Sequence, residues 1–135
     1  RARARSVCAE MHSGFGALRN HIPMNIEAAM PEVGAKVMNE QAAVRADVDR
    51  IVGMWTELLA SHGGPMLFGG FSIADAYFAP VVMRFRTYAV PLPAPVAAYV
   101  ARVAALPGVA AWVAEALVEH DFVDIDEPYR KRAAR

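Results

Sequence analysis

The sequence predicts an all-α domain, an orthogonal bundle of five to six helices around a buried central helix that starts at Ser72. Three observations lead there. Gly69 to Phe85 reads GGFSIADAYFAPVVMRF, in which Ser72 precedes Asp75 by three residues, the spacing of a capping box. From Ala76 to Met83 that stretch carries no charge and puts apolar residues on every face, so the helix it starts belongs inside the fold. Apolar stripes at spacings of three and four recur on either side of it, and no convincing strand or internal repeat interrupts them.

Composition sets the limits within which these elements fold. With 135 residues, 56% hydrophobic and 21% charged, the chain has the apolar material for one real core. Fourteen basic residues balance fourteen acidic ones, so no net field draws it to nucleic acid or to an acidic membrane, and neither is an expected partner. The single Cys8 excludes an internal disulfide and points to a reducing, cytoplasmic setting. The longest uncharged runs, Leu58–Ala74 and Thr87–Ala101, are broken by glycine and proline and fail as membrane spans. No signal peptide is evident, and the chain opens on Arg1 rather than methionine, as a fragment, a processed form or a trimmed form would.

The first element expected is a helix from Arg1 to Ile22, because Val7, Met11, Phe15, Leu18 and Ile22 repeat at four, four, three and four. Arg1, Arg3 and Arg5 alternate with alanine and read as its solvated first turns rather than a nucleic-acid arm. Gly14 and Gly16 inside this helix cost about 1 kcal/mol each against alanine, so something approaches the backbone there, a packed helix in preference to a ligand. Pro23 stops the helix. From Pro23 to Met38, Pro31 and Gly34 interrupt the period, and a connector with one short helical turn is expected.

Asn39 to Ser61 is the clearest amphipathic helix, with Val44, Val48, Ile51, Trp55 and Leu58 on one side and Arg45, Asp47, Arg50 and Glu57 on the other. His62-Gly63-Gly64-Pro65 ends it. Met66-Leu67-Phe68 forms a short apolar loop into the central helix, where Pro80 removes one backbone donor and favours a kink, and Arg84 and Arg86 mark its approach to solvent. Pro91, Pro93 and Pro95 make a stiff turn before a stripe of Val96, Tyr99, Val100 and Val103. Pro107 suits the first turn of a final helix bearing Val109, Trp112, Val113, Ala116 and Leu117. The helical domain is expected over 1–122 and a C-terminal tail over 123–135, with Arg130-Lys131-Arg132 as a solubilising end.

Taken together, AEMHSGFGALR in the first helix, the glycine–aromatic loop into FSIADAYFAPVVMRF, and LPGVAAWVAEAL closely resemble the C-terminal helical domain of cytosolic glutathione transferases, the bacterial ones especially, over nearly the whole chain. The Ser72–Asp75 spacing alone is weak, since any helix can be capped so; its place after Gly70-Phe71, with Leu106, Pro107 and Trp112 downstream, makes the match strong.

The resemblance implies a division of labour. In such enzymes a thioredoxin-like N-terminal domain binds the co-substrate glutathione and supplies the catalytic serine, tyrosine or cysteine. The helical domain supplies one wall of the pocket for a hydrophobic electrophile and part of a homodimer interface. This chain shows no βαβ region, so the glutathione site is expected outside it, Cys8 is not the catalytic residue, and the isolated chain is expected to be inactive. Met11, His12, Phe15 and Arg19 carry over as candidate second-substrate residues; Met11 and Phe15 also lie on the core stripe, whereas His12 and Arg19 lie off it. Ser72 and Asp75 match the family's capping residues, whose role is folding.

Other chemistry is poorly supported. Cys8 and His12, four apart, would be half of a metal site, but His21, His62 and His120 are scattered and no metal is expected. No serine–histidine–acid arrangement or phosphate-binding loop can be read, and the helix end explains Arg84-Phe85-Arg86-Thr87-Tyr88 better than base stacking does. The alternative to a transferase half is a stand-alone interaction module of the same fold.

Overall fold

The computed structural model describes residues 1–119 and 123–130. Among these are seven α-helices and one 3-10 turn: α1 (Ala2–Ser13), α2 (Gly16–His21), α3 (Pro31–Glu40), α4 (Ala42–His62), α5 (Ile73–Thr87), α6 (Ala94–Ala104), α7 (Pro107–Glu119) and the turn at Asp124–Asp126. The all-α expectation holds; the helix count is higher for two local reasons.

The expected single helix over Arg1–Ile22 is two helices, because Gly14 is extended and Phe15 turns left-handed at φ 60°. Burial explains the turn: Phe15, Leu18 and Ile22 all reach the core through it. What approaches Gly14 is neither another helix nor a ligand but the carbonyl of Glu10, which a Cβ would meet at 2.6 Å; Gly16 has open space. Asp47 of α4 accepts from the Leu18 N–H at 2.9 Å, satisfying a first-turn donor of α2 from a neighbouring helix.

The expected connector holds the ten-residue α3. Pro31 is its first residue, where a missing N–H costs nothing. Gly34 is its contact point, since a Cβ there would lie 1.9 Å from the Tyr88 carbonyl oxygen. Ahead of α3, Asn25 shapes the loop by accepting from the N–H groups of Glu27 and Ala28.

The core is built on α4, α5 and α6. Val44, Val48, Ile51, Trp55 and Leu58 of α4 are buried as the stripe predicts. Trp55 meets Phe78 and Tyr99 edge-on at centroid distances of 5.3 and 5.0 Å, and Phe85 at 5.6 Å. Pro80 stands within a continuous α5. That helix is buried over most of its length, but Ile73 and Tyr77 on its first turns are 61% and 41% exposed. Arg86 is exposed and Arg84 half-buried where α5 nears its end.

Asp75 is fully buried and joins three pieces of chain. Its Oδ2 accepts from the Ser72 N–H at 2.7 Å and the Ser72 hydroxyl at 3.0 Å; its Oδ1 accepts from the Leu67 N–H at 3.2 Å and the Tyr99 hydroxyl at 3.1 Å. Both halves of the capping box are present, and the full hydrogen bonds lie on the Asp75 half.

Residues 123–130, read from sequence as the start of a tail, fold back on the α2–α3 loop. The Tyr129 hydroxyl donates to the His21 carbonyl at 2.8 Å, Asn25 donates to Glu127, and Arg130 pairs with Glu27 at 3.6 Å. His120, the boundary at 122, and Lys131 and Arg132 of the basic cluster lie outside the described residues.

Candidate functional site

One face of α5 positions the candidate site. Its buried side carries Ala74, Phe78, Val81, Val82 and Phe85; the opposite strip of Ile73, Tyr77, Pro80 and Arg84 stays partly open. On one flank of that strip, α1 and α5 enclose a groove of about 390 Å³ lined by Arg5, Cys8, Ala9, His12, Ile73 and Tyr77. The α1 residues are spaced at three, one and three, so one helical face supplies them all; Ile73 and Tyr77 are one turn apart on α5. On the other flank, Phe71, Ala76, Ala79, Leu106, Pro107, Gly108, Val109 and Trp112 line a second apolar groove of about 590 Å³ between α5 and the start of α7.

The α1–α5 groove is mainly apolar, and Arg5, His12 and Tyr77 are the lining residues that carry polar groups. Cys8 lies in its wall with a thiol pushed above its ordinary value, chiefly by burial and secondarily by the charge of Asp75. A raised thiol is mostly protonated at neutral pH and is a poor nucleophile. Arg3 and Arg50 on the flank are used structurally, pairing with Glu57 at 3.0 Å and Glu10 at 2.7 Å, and tie α1 to α4.

The four residues carried over by resemblance separate. His12 lines the groove. Met11 is half-buried against the core, and Phe15 is buried within it. The Arg19 guanidinium lies at the end of α1, where Nη2 donates to the carbonyls of Met11 and His12. Sequence reasoning missed Arg5, Ile73 and Tyr77. A signal for the last two was present, since Arg84 is the only charge on α5 between Asp75 and Arg86, and its helical row runs back through Pro80 and Tyr77 to Ile73.

A larger cleft of about 710 Å³ lies elsewhere, between the α2–α3 loop, the start of α3 and Tyr129, and its lining includes Glu27, Glu32 and Arg130. Among the described residues, no group of three metal-ligating side chains comes together. No single helix there is long and apolar enough to cross a membrane; α6 and α7 reach that composition only jointly and bend by 66° between them.

These observations together define an all-helical domain with a capped central helix, a proline-started last helix and an open apolar face beside its first helix. The chain belongs to the glutathione S-transferase C-terminal domain family, whose family model matches residues 38–115. No curated protein and no solved structure shows a significant match to it.

Proposed function

We propose that this chain supplies the second-substrate wall of a glutathione transferase, with the α1–α5 groove as that wall and glutathione held by a thioredoxin-like domain outside these 135 residues. The observation that carries the reading is the groove itself: a family member presents an apolar trough between its first helix and its buried central helix. His12, with Arg5 and Tyr77, orients the electrophile; Cys8, Ala9 and Ile73 exclude water from its apolar body. Met11 and Phe15 hold α1 against the core behind the wall, and Arg19 fixes the end of α1 by binding its last carbonyls.

On this reading the reaction is attack of the glutathione thiolate on a hydrophobic electrophile, and this chain contributes position and desolvation rather than the nucleophile. The exposed apolar strip of Phe71, Ile73 and Tyr77 is the surface that the thioredoxin-like domain covers, and a second copy completes the family's dimer. The test is steady-state kinetics of this chain joined to a thioredoxin-like glutathione-binding domain. Tyr77→Ala raises KM for the electrophile roughly tenfold, equivalent to about 1.4 kcal/mol of lost contact, and leaves KM for glutathione unchanged. A change in the glutathione KM with none in the electrophile KM refutes the assignment.

A further inference from the structure

The cleft of about 710 Å³ between the α2–α3 loop, the start of α3 and Tyr129 is of the size that takes a small molecule, and it shares no lining residue with either groove beside α5. Its lining lies within 25–33 and 129–130, outside the 38–115 stretch that the family model matches, so what defines the family does not account for it. The walls are fixed without a ligand. Asn25 accepts from the N–H groups of Glu27 and Ala28, both at 3.0 Å, and donates Nδ2 to Glu127 at 3.1 Å. The Met30 N–H donates to the Thr87 carbonyl at 2.7 Å and anchors the loop to the end of α5. On the opposite wall the Tyr129 hydroxyl is spent on the His21 carbonyl at 2.8 Å, and its ring meets Tyr88 edge-on at 6.2 Å. A cleft shaped in this way has little left to order when a ligand enters.

The lining decides what fits. Met30, Val33 and Tyr129 pack against the core and, with Ala28, Ala29 and Pro31, give the cleft an apolar side. Its charged side carries more acid than base. Arg130 is already shared between two carboxylates, Glu127 at 3.3 Å and Glu27 at 3.6 Å. Glu32 is left over: among the described residues no cation stands within ion-pair distance of it, Lys36 one turn further along α3 included. Three carboxylates in or beside the cleft against one guanidinium repel an anion and attract a cation. A bare metal ion does not suit them, because among the described residues no three His, Cys, Asp or Glu side chains converge. The complement to spread acidic charge beside an apolar wall is an organic cation.

We propose that this cleft binds a small organic cation, a primary ammonium on a short apolar or aromatic body, with Glu32 as the main counter-charge, Glu27 as the second, and Met30, Val33 and Tyr129 against the body. The site has no residue in common with the α1–α5 groove and does not depend on the second-substrate reading.

Titration of the isotope-labelled 135-residue chain with phenethylammonium chloride, followed by backbone amide shifts, tests the proposal. Phenethyl alcohol and hydrocinnamate, which carry the same ring without charge and with the opposite charge, are the controls. The expected result is a saturable shift at Ala28, Ala29, Val33 and Arg130 with the ammonium, weaker binding of the alcohol and no saturation with hydrocinnamate. Glu32→Gln, at an exposed position, weakens the ammonium roughly threefold, the scale of one exposed charge pair, and leaves the alcohol unchanged. Ala29→Phe, also exposed, fills the cleft and abolishes the shifts. No saturable shift with the ammonium, alcohol bound as well as ammonium, hydrocinnamate bound more tightly, or shifts confined to Cys8 and Tyr77 overturns the proposal. So does an ammonium affinity unchanged by Glu32→Gln, and that comparison decides the matter should Ala29→Phe not fold.

Discussion

Replacing Asp75 by alanine tests how the fold is joined. The carboxylate is fully buried and accepts four hydrogen bonds, from the Ser72 N–H and hydroxyl, the Leu67 N–H and the Tyr99 hydroxyl. Alanine leaves the Leu67 and Tyr99 donors inside the protein without an acceptor, at about 1–3 kcal/mol each. Loss of the cap adds about 0.5–2 kcal/mol. The sum, roughly 2.5–8 kcal/mol, is a large part of the 5–15 kcal/mol that holds a domain together. Asp75→Asn keeps one carbonyl oxygen for Leu67 and Tyr99 but turns an NH2 toward the Ser72 N–H, and should cost about 1–3 kcal/mol. Ser72→Ala deletes one hydrogen bond and leaves the 2.7 Å bond from the residue-72 N–H intact, so it belongs near the low end of the capping range, about 0.5–1 kcal/mol. Urea unfolding followed by far-ultraviolet circular dichroism gives all three values from the midpoints. If Ser72→Ala costs as much as Asp75→Ala, or Asp75→Ala costs less than about 1 kcal/mol, the carboxylate is not the joint between loop, α5 and α6.

Three further outcomes follow from the packing and the electrostatics. Gly34→Ala drives a Cβ to 1.9 Å from the Tyr88 carbonyl oxygen and should destabilise by about 1–3 kcal/mol or more, whereas Gly53→Ala meets open space in mid-helix and should stabilise by about 0.5–1 kcal/mol, both read from urea midpoints. The Tyr88 phenol is pushed up to about 12, mainly by burial, so the stability it contributes is complete below its ordinary value near 10 and is lost as pH rises through about 12; alkaline melts should show that loss, and Tyr88→Phe should reduce it. Cys8, buried with a raised thiol, should react with a thiol reagent at neutral pH more slowly than free cysteine and recover the free rate in urea; an unfolding-independent rate would place it on an open surface.

The legible parts of this fold were those whose causes are local. Ser72 and Asp75 announce the α5 start because the cap is made within four residues, and α4 is plain because its stripe is uninterrupted over about four turns. The break between α1 and α2 was hidden for the opposite reason: the spacing from Val7 to Ile22 runs unchanged through a left-handed Phe15, whose conformation is set by what the side chain buries against. Pro31 and Gly34 misled because each has a second use, one as a first helical residue and one as a point of close approach, and only the position of Tyr88 distinguishes them.

The site was less legible than the fold. Resemblance reached His12, but a groove is a property of two helices laid side by side, and nothing in the order of residues brings Arg5 next to Tyr77. Phe15 and Arg19 share the first-helix region with His12, yet the bend at Phe15 sends one into the core and the other onto the end of α1. The tail likewise looked unstructured because the partners of Tyr129 and Glu127, His21 and Asn25, lie about a hundred residues away in the chain.

The central claim is that this helical chain shapes a second-substrate pocket and holds no glutathione site of its own. Calorimetric titration of the 135-residue chain with glutathione, followed by a conjugation assay on the same sample, tests it most directly. The account predicts no binding and no turnover until a thioredoxin-like domain is supplied; saturable binding with turnover by the chain alone would place a thiol site among these helices and contradict it.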